Sequence, residues 1–87
     1  MYVIMVYDVG VERVSKVLQI ARKYLHWVQN SVLEGEITDA NLFRLQTEVS
    51  QAINKEKDSI TFYILRTTKY LRKTNLGTVK SSPDIFL

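Results

Sequence analysis

Residues 1–9 are almost continuously apolar, rich in Val, Ile and Tyr, and the run ends on the carboxylate of Asp8 shortly before Gly10. A segment apolar on both faces describes a central strand covered from both sides. Gly10 breaks it. Over 11–25 the apolar positions Val14, Val17, Leu18, Ala21 and Leu25 follow helical spacing, with Arg13, Lys16, Arg22 and Lys23 on other faces. The spacing predicts an amphipathic helix packed on the first strand. Residues 27–37 return to strand character, and Gly35 suggests a bulge or bend. Thr38 and Asp39 suit a helix start, because their oxygens accept the free N–H groups of a first turn. Leu42, Leu45, Val49, Ala52 and Ile53 then mark the apolar face of a second helix, which ends in the polar run Asn54-Lys55-Glu56-Lys57-Asp58. Ile60, Phe62 and Ile64 alternate with Thr61, Tyr63 and Leu65 in a third strand over 59–66. A weaker fourth strand is predicted over 70–76, stopped by Gly77. Ser81-Ser82-Pro83 breaks the chain before the short apolar tail Asp84-Ile85-Phe86-Leu87.

Taken in order, the pattern is strand, helix, strand, helix, strand, strand. It approximates the split-βαβ, ferredoxin-like α+β sandwich with one connection altered. Right-handed crossovers then place both helices on one face of an antiparallel sheet. The other face is left bare and partly apolar, and a second copy of the chain is its simplest cover. The reading is one domain over 1–87, with 80–87 as a C-terminal strand or tail exchanged with the partner subunit.

Composition narrows the chemistry. The chain has 87 residues, 46% of them hydrophobic, which is enough for a core but leaves a small domain with much uncovered surface. It has no cysteine and a single histidine, His26, which excludes disulfides, thiolate metal sites and two-histidine metal clusters within one chain. No apolar stretch reaches the roughly 18 residues of a membrane span, and the N-terminus lacks a charged signal-peptide start, so an intracellular protein with no membrane contact is expected. Net charge is +3 and the sequence pI near 9.3. The distribution is uneven: Arg66, Lys69, Arg72, Lys73 and Lys80 fall within 66–80 without an acid. Such a cluster suits an anionic partner, nucleic acid above all. It suits a lysine-guarded sheet edge equally well.

Asp8 is the carboxylate that the first strand carries. It can cap the helix that follows, face water, or hold a cation. Hard cations such as Mg²⁺ take one or two carboxylates with waters and substrate phosphate. One chain offers a single Asp8; a two-fold dimer offers two if the axis passes near that strand end. Glu12 sits where a helix start favours acids, and His26 with Trp27 reads as a packed or half-exposed aromatic pair rather than a catalytic one. Ser31 has no histidine and acid arranged about it for a hydrolase triad. Gly10, Gly35 and Gly77 form no phosphate-binding glycine loop.

Tyr7-Asp8-Val9 at a strand end, the basic helix bearing Arg13 and Lys16, and Trp27-Val28-Gln29-Asn30-Ser31-Val32-Leu33-Glu34-Gly35 resemble the CRISPR-associated protein 2 family. Members typically show a tyrosine–aspartate pair ending the first strand and a Val-Gln-x-Ser-Val-Phe-Glu-Gly segment in the second. Leu33 stands here for the phenylalanine. Residues 37–45 look like the family's second-helix start. The resemblance spans about the whole chain, tightest over 1–45 and loose after 66.

The resemblance implies a ferredoxin-like homodimer of a prokaryotic, cytoplasmic CRISPR system, working in spacer acquisition beside the integrase, CRISPR-associated protein 1. It further implies a metal-dependent endonuclease of RNA or DNA, most often described as an endoribonuclease. In that reading Asp8 of both subunits is catalytic and shares a Mg²⁺ ion at the dimer axis. Arg13, Lys16, Arg66, Lys69, Arg72 and Lys73 then contact nucleic acid. The alternative is a non-catalytic dimeric scaffold that holds DNA for the integrase. Two departures stand out: the loop after Asp8 is only Val9-Gly10-Val11, and Trp27 replaces an arginine frequent in the family.

Overall fold

The computed structural model describes residues 1–78. Six elements follow one another: β1 (Tyr2–Asp8), α1 (Val11–Ala21), β2 (His26–Gln29), β3 (Val32–Glu36), α2 (Asp39–Ala52) and β4 (Ser59–Leu65). The sheet order is β2-β3-β1-β4, with every neighbouring pair antiparallel. This is the split-βαβ ferredoxin-like arrangement, and β1 is central because it pairs on both sides.

Side-chain alternation along β1 decides which face each residue serves. Val3, Met5 and Tyr7 are buried, and they lie in register with Ile64, Phe62 and Ile60 of β4. Both helices cover this face. Val17, Ile20 and Ala21 of α1 and Leu42, Leu45 and Val49 of α2 join Val3, Met5, Tyr7 and Leu33 in one core. Glu48 of α2 accepts from Lys23 Nζ (2.6 Å) and from the Tyr24 hydroxyl, which ties the outer surfaces of the two helical segments. α2 starts as its residues dictate: Thr38 Oγ1 accepts the Asn41 N–H at 3.1 Å. Tyr2, Ile4, Val6 and Asp8 point to the opposite face, which carries no helix among the described residues.

Four expectations are corrected. Residues 27–37 are two strands, not one. The turn at Asn30-Ser31 divides them, with Asn30 in the left-handed region at φ 43°, which a short amide side chain tolerates. Its carbonyl accepts from Trp27 Nε1 (2.9 Å) and from the Tyr7 hydroxyl (3.2 Å), so the turn is anchored to the core. Apolar residues continue straight through this hairpin, and hydropathy alone therefore does not reveal it. Gly35 pairs regularly with Val3; the irregularity falls between Trp27 and Gln29 on the neighbouring strand.

The helix predicted over 11–25 ends at Ala21. Lys23 and Tyr24 donate to Ile20 and Ala21 in tighter three-residue steps, which bring Leu25 into the core. The strand predicted over 70–76 does not form among the described residues. Residues 68–71 make a turn, with Leu71 N–H on the Thr68 carbonyl at 3.0 Å, and Tyr70 and Leu76 are 83% and 95% exposed. The predicted exchanged tail at 80–87 lies outside the described residues.

Leu45 is fully buried. Leu45→Ala should lower stability by about 2–5 kcal/mol through lost transfer energy and the cavity left behind. The urea midpoint should fall with an unchanged m-value. Thr38→Ala should cost about 1 kcal/mol through the lost cap.

Candidate functional site

Asp8 closes β1 on the helix-free face and is exposed. Its only strand partner among the described residues is Ser59 of β4. On the other side, pairing with β3 stops at Val6 opposite Val32, followed by a single bond from Tyr7 N–H to the Ser31 carbonyl at 3.0 Å. The carboxylate therefore stands at a half-supported strand end with room for water. Among the described residues no group of three or more His, Cys, Asp or Glu could enclose a metal ion. One exposed carboxylate does not make an all-protein cage. Its hard oxygens do fit an ion of the Mg²⁺ type that keeps several waters and is held by one or two carboxylates.

A second carboxylate, unnoticed in the sequence, organises this end of the sheet. Asp58 directly precedes β4, and its side chain is completely buried. Oδ1 accepts from the Gly10 N–H and from Arg13 Nη2, each at 2.9 Å. Oδ2 accepts from the Asn54 N–H at 2.8 Å and from Arg13 Nε. The guanidinium thus grips the carboxylate through two parallel bonds, the strongest geometry available to such a pair. Arg13 Nη1 donates to Glu12 Oε1 at 2.6 Å. The Arg13 hydrogen bonds, with the Asn54 and Gly10 amides behind them, outweigh burial and hold the Asp58 carboxyl well below the usual carboxylate range. Arg13 is correspondingly pushed up, first by its hydrogen bond to Asp58. Gly10 leaves space for this arrangement: a Cβ there would lie 2.5 Å from Arg13 Nη2 and 2.7 Å from Glu12 Oε1.

The six basic residues expected to meet nucleic acid occupy separate places. Arg13 is committed to Asp58. Lys16 opens into a groove between the helices, lined also by Gln19, Ile20, Lys23, Glu48 and Gln51. Arg66, Lys69, Arg72 and Lys73 follow β4 in irregular chain. β4 leaves the sheet at Leu65, opposite Tyr2, whereas Asp8 pairs with Ser59 at its other end. At about 3.4 Å per residue, the seven-residue strand separates Asp8 from the start of the basic run by about 20 Å. Arg66 and Arg72 are exposed, and Lys69 Nζ stands 5.5 Å from the Tyr70 ring centre.

Lys73 reaches back across the helix-free face to Glu34 Oε1 at 3.1 Å, while the Tyr2 hydroxyl donates to Glu34 Oε2. Burial, followed by the Glu34 hydrogen bond, pushes the Tyr2 phenol well up. Glu34 sits within the family-like segment but carried no assigned role in the sequence. The signal that could have found Asp58 is equally thin: an aspartate immediately ahead of a strand, at the close of a polar run. Its main partner is 45 residues away in the chain.

A small split-βαβ domain with an open sheet face and a carboxylate at its central strand end is the class defined so far. The sequence matches the family described as CRISPR associated protein Cas2 over residues 1–73, and the chain belongs to that family. It is 56% identical over 87 residues to a protein of Dictyoglomus turgidum named CRISPR-associated endoribonuclease Cas2, covering all of both chains. A protein of the same name from Thermotoga maritima is 52% identical, covering 100% of this chain and 99% of the relative. Among solved structures, a Cas2 crystal structure matches with TM-score 0.85 at 43% identity, over 94% of this chain and 92% of the other. Streptococcus pyogenes Cas2 matches with TM-score 0.78 at 34% identity, over 88% and 100%.

The Asp58 pair has a pH signature. A folded-state carboxyl held below its unfolded value, near 4, contributes stability that is present above that value and is lost as pH falls toward the folded one. Stability should decline from about pH 5 downward. Asp58→Asn should lower Tm by roughly 10–20 °C at pH 7 and flatten the acid decline. Thermal melts at pH 7 check the first and urea midpoints at pH 7 and pH 3 the second, and an equal acid decline in the variant would assign it to other carboxyls.

Proposed function

We propose that this chain is a metal-dependent endonuclease of CRISPR spacer acquisition, acting on RNA or DNA, with endoribonuclease as its first activity. The single observation that carries the reading is Asp8: an exposed carboxylate ending the central strand, on the face that no helix among the described residues covers. The family's membership and the names of close relatives support the nuclease class. The ion in this proposal is Mg²⁺, held by Asp8 of two subunits across a two-fold axis; bound there, it would activate water and offset charge developing on the phosphate. The chain's own part is to present the carboxylate at a fixed place on a rigid strand. Two such carboxylates facing each other repel, so ion binding and dimer geometry are coupled.

The dimer forms through the helix-free face. Tyr2, Ile4, Val6, Val32 and Leu65 line it half-buried, and Tyr63 is 57% exposed, an apolar surface that a second copy would take from water. Arg66, Lys69 and Arg72 hold phosphates electrostatically and read no base edges. The protein acts in the cytoplasm of a prokaryotic cell beside the integrase, CRISPR-associated protein 1.

One observation favours the scaffold reading. The basic residues do not converge on Asp8: Arg13 is neutralised by Asp58, and the 66–73 run begins at the far end of β4. A surface of this kind suits holding a duplex along its length.

Asp8→Ala should abolish Mg²⁺-dependent cleavage of single-stranded RNA and duplex DNA while sedimentation still finds a folded dimer. Unchanged cleavage by the purified variant, with chelator as the blank, would remove Asp8 from the chemistry. The phosphate-binding run has its own test. Lys69→Ala with Arg72→Ala takes four charges from a dimer, so the slope of log affinity against log salt for duplex DNA should flatten by up to about 3–4 units. An equal slope would make the run an edge guard.

A further inference from the structure

We propose that Asp58 is a positioning residue for Asp8: it fixes the strand end and loop from which the Asp8 carboxylate is presented. The inference rests on the reading of Asp8 given above. Its grounds are geometric. Among the described residues Asp8 has lost β3 as a neighbour and keeps only β4, through Ser59, the residue immediately after Asp58. Two residues beyond Asp8, the Gly10 amide is bonded to Asp58 Oδ1. The same carboxylate grips Arg13 in the first turn of α1 and the Asn54 amide just past α2. Asp8 is thereby bracketed: the β4 residue beside it and the loop that follows it both lead to one side chain.

Stability alone is a poor reason to keep such a pair. A buried arginine–carboxylate contact can often be replaced by apolar residues of similar volume at no loss, whereas its directional bonds fix geometry in a way apolar contacts do not. The short Val9-Gly10-Val11 loop adds to this. With only three residues between Asp8 and Glu12, a shift of Gly10 passes directly to the carboxylate. Arg13 is the counter-ion within this device, its guanidinium bonded to Asp58 and Glu12.

The test uses the full-length dimer and two readouts that do not depend on turnover: exchange of the Gly10 amide by NMR, and affinity for Mn²⁺ alone by electron paramagnetic resonance. In Asp58→Asn, held well below its Tm, Gly10 exchange should quicken at least tenfold and Mn²⁺ affinity should drop at least tenfold, with native circular dichroism retained. Native fold with Mn²⁺ affinity unchanged would overturn the inference, whatever Gly10 exchange does. If Asp58→Asn does not fold, Arg13→Lys carries the test, because it keeps the charge and loses the paired bonds; the same changes at smaller amplitude are expected, and their absence overturns the proposal. Asp8→Ala separates the two levels. Mn²⁺ binding that survives Asp8→Ala refutes the site, whereas binding lost in Asp8→Ala and intact in Asp58→Asn refutes only the positioning role.

Discussion

A carboxylate stripped of water is tolerable only when its lone pairs find donors, and Asp58 meets that condition with two backbone amides and both prongs of a guanidinium. The donors come from two separate stretches of chain, 10–13 and Asn54, so satisfying one side chain fixes where those stretches meet β4. The loop after β1, the first turn of α1, the exit from α2 and the start of β4 converge there. Each bond has a direction, and none can be made with the elements a residue out of register. A purely apolar corner would hold them together with far more latitude. The constraint extends to composition: the guanidinium occupies the space above Gly10, so that position is closed to side chains without displacing Arg13.

The sheet divides the molecule into a face that is finished and a face that is not. On the helix side, Val3, Met5 and Leu33 are fully buried, and the core closes within one chain. On the other side, apolar Ile4 and Val6 lie along β1 between the polar ends Tyr2 and Asp8, while Glu34 collects the Tyr2 hydroxyl and the Lys73 ammonium. Glu34 is thus a polar station in the middle of an otherwise mixed surface. It anchors the chain beyond β4 across this face, so the segment carrying the basic residues is tethered on the side where Asp8 points.

Much of this architecture was legible in the residues, because burial leaves a periodic trace. The alternation over 59–65, the helical spacing of Leu42, Leu45 and Val49, and the Thr38 cap all appear where the pattern put them. The β2–β3 hairpin was not legible. Its turn carries no glycine, and Trp27, Val28, Val32 and Leu33 read through it as one strand; only the left-handed Asn30 marks it. Residues 70–76 erred in the opposite direction, since Tyr70, Leu71 and Leu76 look strand-like while no neighbour pairs with them among the described residues. Asp8 was legible as an isolated carboxylate on an apolar strand. The Asp58–Arg13 pair was not, because periodicity reports which face a residue serves and carries no information about a partner 45 positions away.

Trp27 is the chain's single tryptophan, and its indole is bonded to the carbonyl of the turn residue Asn30, with the Arg22 guanidinium 5.8 Å from the ring centre. The protein therefore carries an optical reporter confined to one corner, the outer hairpin farthest from β4 in the sheet. Indole emission follows the opening of that corner, while far-ultraviolet dichroism averages over both helices and every strand. Coincident transitions from the two signals would mark all-or-none unfolding. An earlier change in emission would mean that the hairpin detaches first while the Asp58 corner, on the opposite half of the sheet, is still closed.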